Sequence, residues 1–143
     1  MISSHLDFRI PFQDVDSMQV VWHGNYVRYF EQARSELLRD IGFTYGDMAA
    51  RGFVFPVVKL NVKYVAPARF DERVRAVAEL LPCENCLDVR YRLVSLEDGK
   101  LFCKATTRQM AVRLSTGESL LQLPEPLLTL MREFEARGSL SPE

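Results

Sequence analysis

Asp14, Asp16 and His23 stand in the run DVDSMQVVWHGNYVRYFEQAR, two carboxylates and a histidine just ahead of an apolar-periodic segment. Gly24 and Asn25 separate that histidine from the segment, which begins at Tyr26. The amino end of a helix carries partial positive charge and unpaired amide donors. An acyl oxygen presented there is polarised, while a nearby carboxylate can attack the carbonyl carbon or activate water. Residue types and spacing together point to acyl transfer.

The elements that must hold these groups can be read from periodicity. Leu6, Phe8 and Ile10 alternate with Asp7 and Arg9, the pattern of a strand with one buried face. Tyr26, Phe30, Ala33, Leu37 and Ile41 recur every three or four residues, with Arg28, Gln32, Ser35, Glu36 and Arg39 between them. This predicts an amphipathic helix of about four turns, entered through the break at Gly24 and Asn25 and stopped by Gly42. A shorter helix is predicted from Tyr45 to Arg51, closed by Gly52. The second half reads as strands over 58–64, 74–80 and 87–93, and Asp98 and Gly99 turn the chain into another from Lys100. Cys103, Ala105 and Thr107 share one parity, whereas Met110, Val112 and Leu114 take the other, which predicts a bulge near Gln109. Pro124 and Pro126 introduce a last helix whose Leu127, Leu130, Met131 and Phe134 can cover the sheet. The class is α+β, an antiparallel sheet whose apolar face is covered by one long helix.

Composition excludes several partners. A chain of 143 residues, 48% of them hydrophobic, can bury one substantial core, so one domain over 1–143 is expected, with a mobile tail from Gly138 to Glu143. Lys and Arg number 18 against 19 for Asp and Glu, which leaves no overall field for nucleic acid or an anionic membrane. No apolar run reaches the roughly 20 residues that span a bilayer. With no basic-then-apolar start at Met1 to Ile10, a cytoplasmic protein is expected. Cys83, Cys86 and Cys103 are an odd set, best read as free thiols. A zinc site on Cys83 and Cys86 would have to recruit from Cys103, His5 and His23, and Pro82 with Asn85 makes that C-x-x-C a turn between strands rather than the start of a redox helix. Neither a metal nor a cofactor is expected.

Several of these residues together resemble a known family. The D-x-D of Asp14 and Asp16, the stretch Val20 to His23, Asn25 with Tyr26, the E-x-A-R of Glu31, Ala33 and Arg34, and the Y-x-x-P-A of Tyr64, Pro67 and Ala68 are similar to the hotdog-fold acyl-CoA thioesterases. The 4-hydroxybenzoyl-CoA and Tol-Pal-associated types match in order and spacing over roughly residues 6 to 135. The resemblance implies a hotdog sheet wrapped around the long helix. It also implies Asp16 as the catalytic carboxylate, an acyl-CoA or acyl carrier protein substrate, and a homodimer or homotetramer with sheets joined edge to edge. Asp16 would then act as general base or nucleophile, with His23 beside it and the amides of His23 and Gly24 holding the carbonyl oxygen. Val21, Trp22, Asn25 and Tyr26 would line the substrate. The competing readings are a hydratase or dehydratase pairing His23 with Asp16 or Glu31, and a module that binds an acyl thioester without turning it over.

Each residue has a plainer role beside the chemical one. Asp16 could cap a turn, Asn25 could cap the helix, and Asp14 is the better structural carboxylate. Glu31 and Arg34 are spaced for an ion pair on the helix. Phe53, Phe55, Tyr29 and Met18 could line an acyl pocket, although core is the better reading for most of them. Met18 and Gln19 stand where the relatives usually carry small residues, glycine typically just before the paired valines, so side chains there would narrow the pocket or reshape the loop. The turn from Pro82 to Cys86 is acidic rather than basic. Binding the phosphates of coenzyme A therefore falls to Lys59, Lys63, Arg69 or Arg73, unless the carrier is a protein.

Overall fold

A computed structural model describes residues 2–140, the last three in backbone only. Alternating side chains lay the chain into seven strands: β1 (Ser3–Arg9), β2 (Phe53–Val54), β3 (Val57–Tyr64), β4 (Arg73–Leu81), β5 (Leu87–Ser95), β6 (Leu101–Gln109) and β7 (Val112–Arg113). Among the described residues three α-helices accompany them, α1 (His23–Ile41), α2 (Tyr45–Ala50) and α3 (Glu125–Leu140). Five strands form one antiparallel sheet in the order β1-β4-β5-β6-β3, and β2 pairs with β7 in a small second sheet. Helix α1 lies across β1, β4 and β5, so the sheet wraps one long helix in the hotdog manner.

Burial accounts for the arrangement. Val74, Ala76, Ala78 and Leu80 of β4 and Leu87, Val89, Tyr91 and Leu93 of β5 face the helix and are buried, while their neighbours point outward. Tyr26, Phe30, Ala33, Leu37 and Ile41 supply the apolar stripe of α1 on the other side of the same core. Leu127 and Leu128 of α3 are buried, with Leu130, Met131 and Phe134 packed partly against that core. The tail expected to be mobile from Gly138 lies outside the described side chains, and α3 carries its backbone to Leu140.

Two expectations are corrected. Helix α1 starts at His23 rather than Tyr26, with Trp22 as N-cap, so Gly24 and Asn25 belong to its first turn. Apolar periodicity detects only the buried stripe, and the first turn contributes nothing to it. Gly42 does stop the helix: its φ of 90° is the left-handed conformation that glycine adopts without steric cost, and its N–H reaches Leu38 O and Arg39 O. The bulge predicted in the last strand falls on its neighbour instead, where the β3–β6 register slips between Val57 and Lys59 opposite Arg108 and Gln109. Strand β6 ends at Gln109, whose amide donates to Phe55 O at 2.7 Å, and the chain then crosses to β7. The parity change in the sequence is that crossing.

Candidate active site

Asp14 and Asp16 sit on the stem of a small hairpin that precedes α1. Trp22 N–H donates to Asp14 O at 3.0 Å, Val15 bridges Val21, and Asp16 N–H donates to Val20 O at 2.8 Å. Asp16 O accepts from Gln19 N–H at 2.9 Å, closing the tip. One carboxylate oxygen of Asp16, Oδ1, accepts from Met18 N–H at 2.9 Å and lies 3.4 Å from Val20 N, so the side chain braces its own turn. The carboxylate is half-buried at the hairpin end. Gln19 has φ 63°, a left-handed conformation in a residue that carries a Cβ. Glycine adopts this conformation without steric cost.

Asp14 has a different position. It is buried, and its Oδ2 accepts from Tyr29 OH at 2.7 Å and meets Arg28 Nη2 at 2.5 Å. Burial, reinforced by the Asp14 carboxylate, pushes the Tyr29 phenol well up, so Tyr29 keeps its proton and donates it. Hydrogen bonds to a charged group contribute roughly 1.5–3 kcal/mol each, enough to tie the hairpin stem to the second turn of α1. Asn25 completes the tie by donating Nδ2–H to Asp14 O at 2.9 Å. The expected capping role of Asn25 is therefore corrected: its side chain fastens the loop, and Trp22 is the N-cap without a side-chain cap bond.

The opening of α1 leaves donors available. His23 and Gly24 are its first two residues, and their N–H groups have no acceptor among the described residues. A Cβ on Gly24 would lie 2.2 Å from the Trp22 ring, so only glycine lets that indole fold over the helix start. Trp22 is half-exposed, its ring centroid 4.8 Å from that of the exposed His23, and the Tyr64 ring stands edge-on to the imidazole at 6.4 Å. Val21 and Tyr26, expected to touch substrate, are both buried in the core.

The second motif clamps the first. Tyr64 OH donates to His23 O at 3.0 Å. Ala68 O accepts from Val21 N–H at 2.8 Å, and Ala68 N–H donates to Tyr26 OH at 3.1 Å. Tyr64 and Ala68 lie about forty residues from the hairpin they hold, and periodicity alone does not reveal their role; the Y-x-x-P-A pattern was the signal.

Farther along α1, Arg34 is buried and bonds Tyr45 OH through Nε at 2.5 Å and Tyr91 OH through Nη1 at 3.2 Å. Its contact with the exposed Glu31 is a long 3.8 Å, so the ion pair read from the sequence is secondary to the two tyrosines. Glu31 and Arg34 line a groove of about 170 Å³ between α1 and β3, together with Val57 and Leu60. Of the other expected pocket residues, Phe55 and Tyr29 are buried, Phe53 is partly buried and Met18 is exposed. Cys83 and Cys86 sit in the β4–β5 turn with sulfurs 2.8 Å apart, and Cys86 Sγ lies 3.3 Å from Asp88. Arg108 grips both oxygens of Asp88 at 2.9 Å. Cys103 is buried elsewhere, on β6.

A family model described as the thioesterase-like superfamily matches residues 10–133. The chain belongs to that superfamily. Acyl-CoA thioester hydrolase YbgC of Escherichia coli O157:H7 is 38% identical over 91 residues, 63% of this chain and 68% of YbgC. YneP of Bacillus subtilis is 35% identical over 69 residues, 48% of this chain and half of its own length. Among solved structures, a DHNA-CoA thioesterase from Staphylococcus aureus superposes with a TM-score of 0.81 at 26% identity, covering 98% of this chain and 93% of its own. The fold as a whole thus has its counterpart in a solved thioesterase.

Proposed function

We propose that this superfamily member hydrolyses an acyl-CoA thioester to the free acid and thiol, with Asp16 as general base or nucleophile. The observation that carries the reading is the pair of unengaged amides at His23 and Gly24, opening α1 just after a hairpin that holds a half-buried carboxylate at its end. Amides aimed at a developing oxyanion stabilise charge at the point where it appears. A thiol ionises near pH 8.5, so the leaving group needs no strong acid and the machinery reduces to a carboxylate and an oxyanion pocket. Trp22 and His23, exposed beside those amides, take the thioester end of the substrate, while Val21, Tyr26 and Asn25 fix the hairpin and the helix start.

A second copy of the chain completes the site. Among the described residues, Asp16 lines none of five principal cavities, which reach about 560 Å³. Strand β3 is an edge, and it leaves Val57, Val58, Leu60 and Tyr64 between 41% and 54% exposed. An apolar strand edge with unpaired amides is a template for pairing. Pairing β3 with its copy covers that strip and walls the groove that Val57 and Leu60 share with Glu31 and Arg34. The free thiols Cys83, Cys86 and Cys103 support a reducing, cytoplasmic setting.

The assay is thiol release from a panel of acyl-CoA species by the wild type and by Asp16→Asn. The variant should stay folded and lose about 10²- to 10⁴-fold in turnover, the range for a general base. Undiminished thiol release from the variant would remove Asp16 from the mechanism. Water addition without thiol release from the wild type would assign a hydratase instead, and saturable binding with neither product a non-catalytic module.

A further inference from the structure

The outward face of the sheet carries charge that the whole chain does not. The formal net charge is −1, yet the outward positions of β3, β5 and β6 hold Lys59, Lys63, Arg90, Arg92, Lys104 and Arg108 against Asp88 as their carboxylate. Lys63 lies directly opposite Lys104 in the β3–β6 register, and Lys104 directly opposite Arg92 in the β5–β6 register. Like charges directly opposite one another on a sheet are destabilising, so this row of three cations is unfavourable to the fold. Lysine on an open edge strand guards against aggregation, a role Lys63 has only while β3 is unpaired. It does not account for Lys104, which lies on β6, paired on both sides.

The same residues wall a trough. A depression of about 410 Å³ on this face is lined by Lys63, Lys104, Arg90 and Arg92, with Asn61 and Thr106 as neutral hydrogen-bonding neighbours. Glu79 meets both arginines, Arg90 Nη2 at 3.3 Å and Arg92 Nη1 at 3.0 Å, so two guanidiniums share one carboxylate. Lys63 and Lys104 have no carboxylate within 4.0 Å among the described residues. A trough with clustered cations, two of them uncompensated, together with amide and hydroxyl groups, fits a multiply charged anion with several acceptor oxygens.

We propose that this trough binds the phosphoanhydride group of a small polyphosphate anion, with Lys63 and Lys104 as the principal charges and the arginines as forked donors. It lies on the opposite face of the sheet from α1 and the Asp16 hairpin, and the assignment does not depend on the thioesterase reading. Two sources share this chemistry: the nucleotide end of a coenzyme A substrate, and a free nucleotide or pyrophosphate acting as a separate ligand.

The experiment titrates the full-length protein calorimetrically with inorganic pyrophosphate and with ADP at about 20 mM salt, where screening is weak. The comparison is the double variant Lys63→Gln with Lys104→Gln. Saturable binding by the wild type, weakened by added salt and at least tenfold weaker in the double variant, is the expected result. The double variant should melt no lower than the wild type, because the substitutions relieve like-charge repulsion. Kinetics then separate the sources. If the nucleotide end of the substrate docks here, the variant raises KM for an acyl-CoA and leaves KM for the matching acyl-pantetheine unchanged. If the ligand is separate, both KM values stay as in the wild type while pyrophosphate binding is lost. Equal affinity of wild type and variant for pyrophosphate, or no binding to the wild type at millimolar concentration, overturns the assignment. Calorimetry reads the trough even if no thiol is released, so failure of the catalytic reading and failure of this one are distinguishable.

Discussion

At the residue scale, Asp14 and Asp16 show how two identical side chains two positions apart acquire different surroundings. Asp14 is buried, and Tyr29 and Arg28 both bond its Oδ2 and tie it into the hairpin stem. Asp16 keeps one oxygen outside the bonds that Oδ1 makes with its own turn. The turn that holds it carries a conformational cost, because Gln19 sits at φ 63°. A side chain with a Cβ in that region loses roughly 1–2 kcal/mol, partly offset by the greater unfolded-state freedom of glycine. Gln19→Gly should therefore raise stability by up to about 1 kcal/mol in denaturant titration. A loss of stability would mean that the Gln19 side chain makes contacts that outweigh its backbone strain.

At the element scale, the start of α1 depends on a close approach. The Trp22 ring lies where a Cβ on residue 24 would be, and that ring is half-exposed, so it can swing outward. Gly24→Ala should thus keep the fold with little change in melting temperature while displacing the indole that flanks the two open amides. The chain has a single tryptophan, so its emission spectrum reports the displacement directly, and thiol release should fall with it. Unchanged emission with full activity would show that the indole does not shape the oxyanion pocket. Helix α2 makes a contrast: Thr44 accepts from Asp47 N–H at 3.2 Å while Asp47 accepts from Thr44 N–H at 2.9 Å, a reciprocal cap confined to the surface and remote from the chemistry.

At the scale of the whole molecule, the sheet has one face for the helix and one that carries charge, and its β3 edge is unfinished. Leu60 points from β3 into the groove beside α1 and is 44% exposed in the single chain. If that edge is paired with a second copy, Leu60→Asp places a charge in an apolar seam, where an unpaired ion costs several kcal/mol. Sedimentation at micromolar concentration should then show a dimer or larger for the wild type and a monomer for the variant, with thiol release lost in the variant. A folded wild-type monomer at that concentration would contradict the proposed assembly.

Local order was legible in the sequence because each signal is carried by neighbours along the chain. Alternation sets strands, a three-to-four spacing sets α1, and Gly42 ends it; the D-x-D and Y-x-x-P-A patterns mark the segments that matter. Tertiary structure decided what depends on residues far apart. Tyr64 and Ala68 reach back to His23, Val21 and Tyr26, and Arg34 finds Tyr45 and Tyr91 rather than settling on Glu31. The row of cations on the outer face arises only when β3, β5 and β6 come into register, since Lys63, Arg92 and Lys104 are scattered along the chain. Periodicity encodes which face of an element is buried. It says nothing of which distant side chain will stand across from it, because that follows from the order in which strands pair.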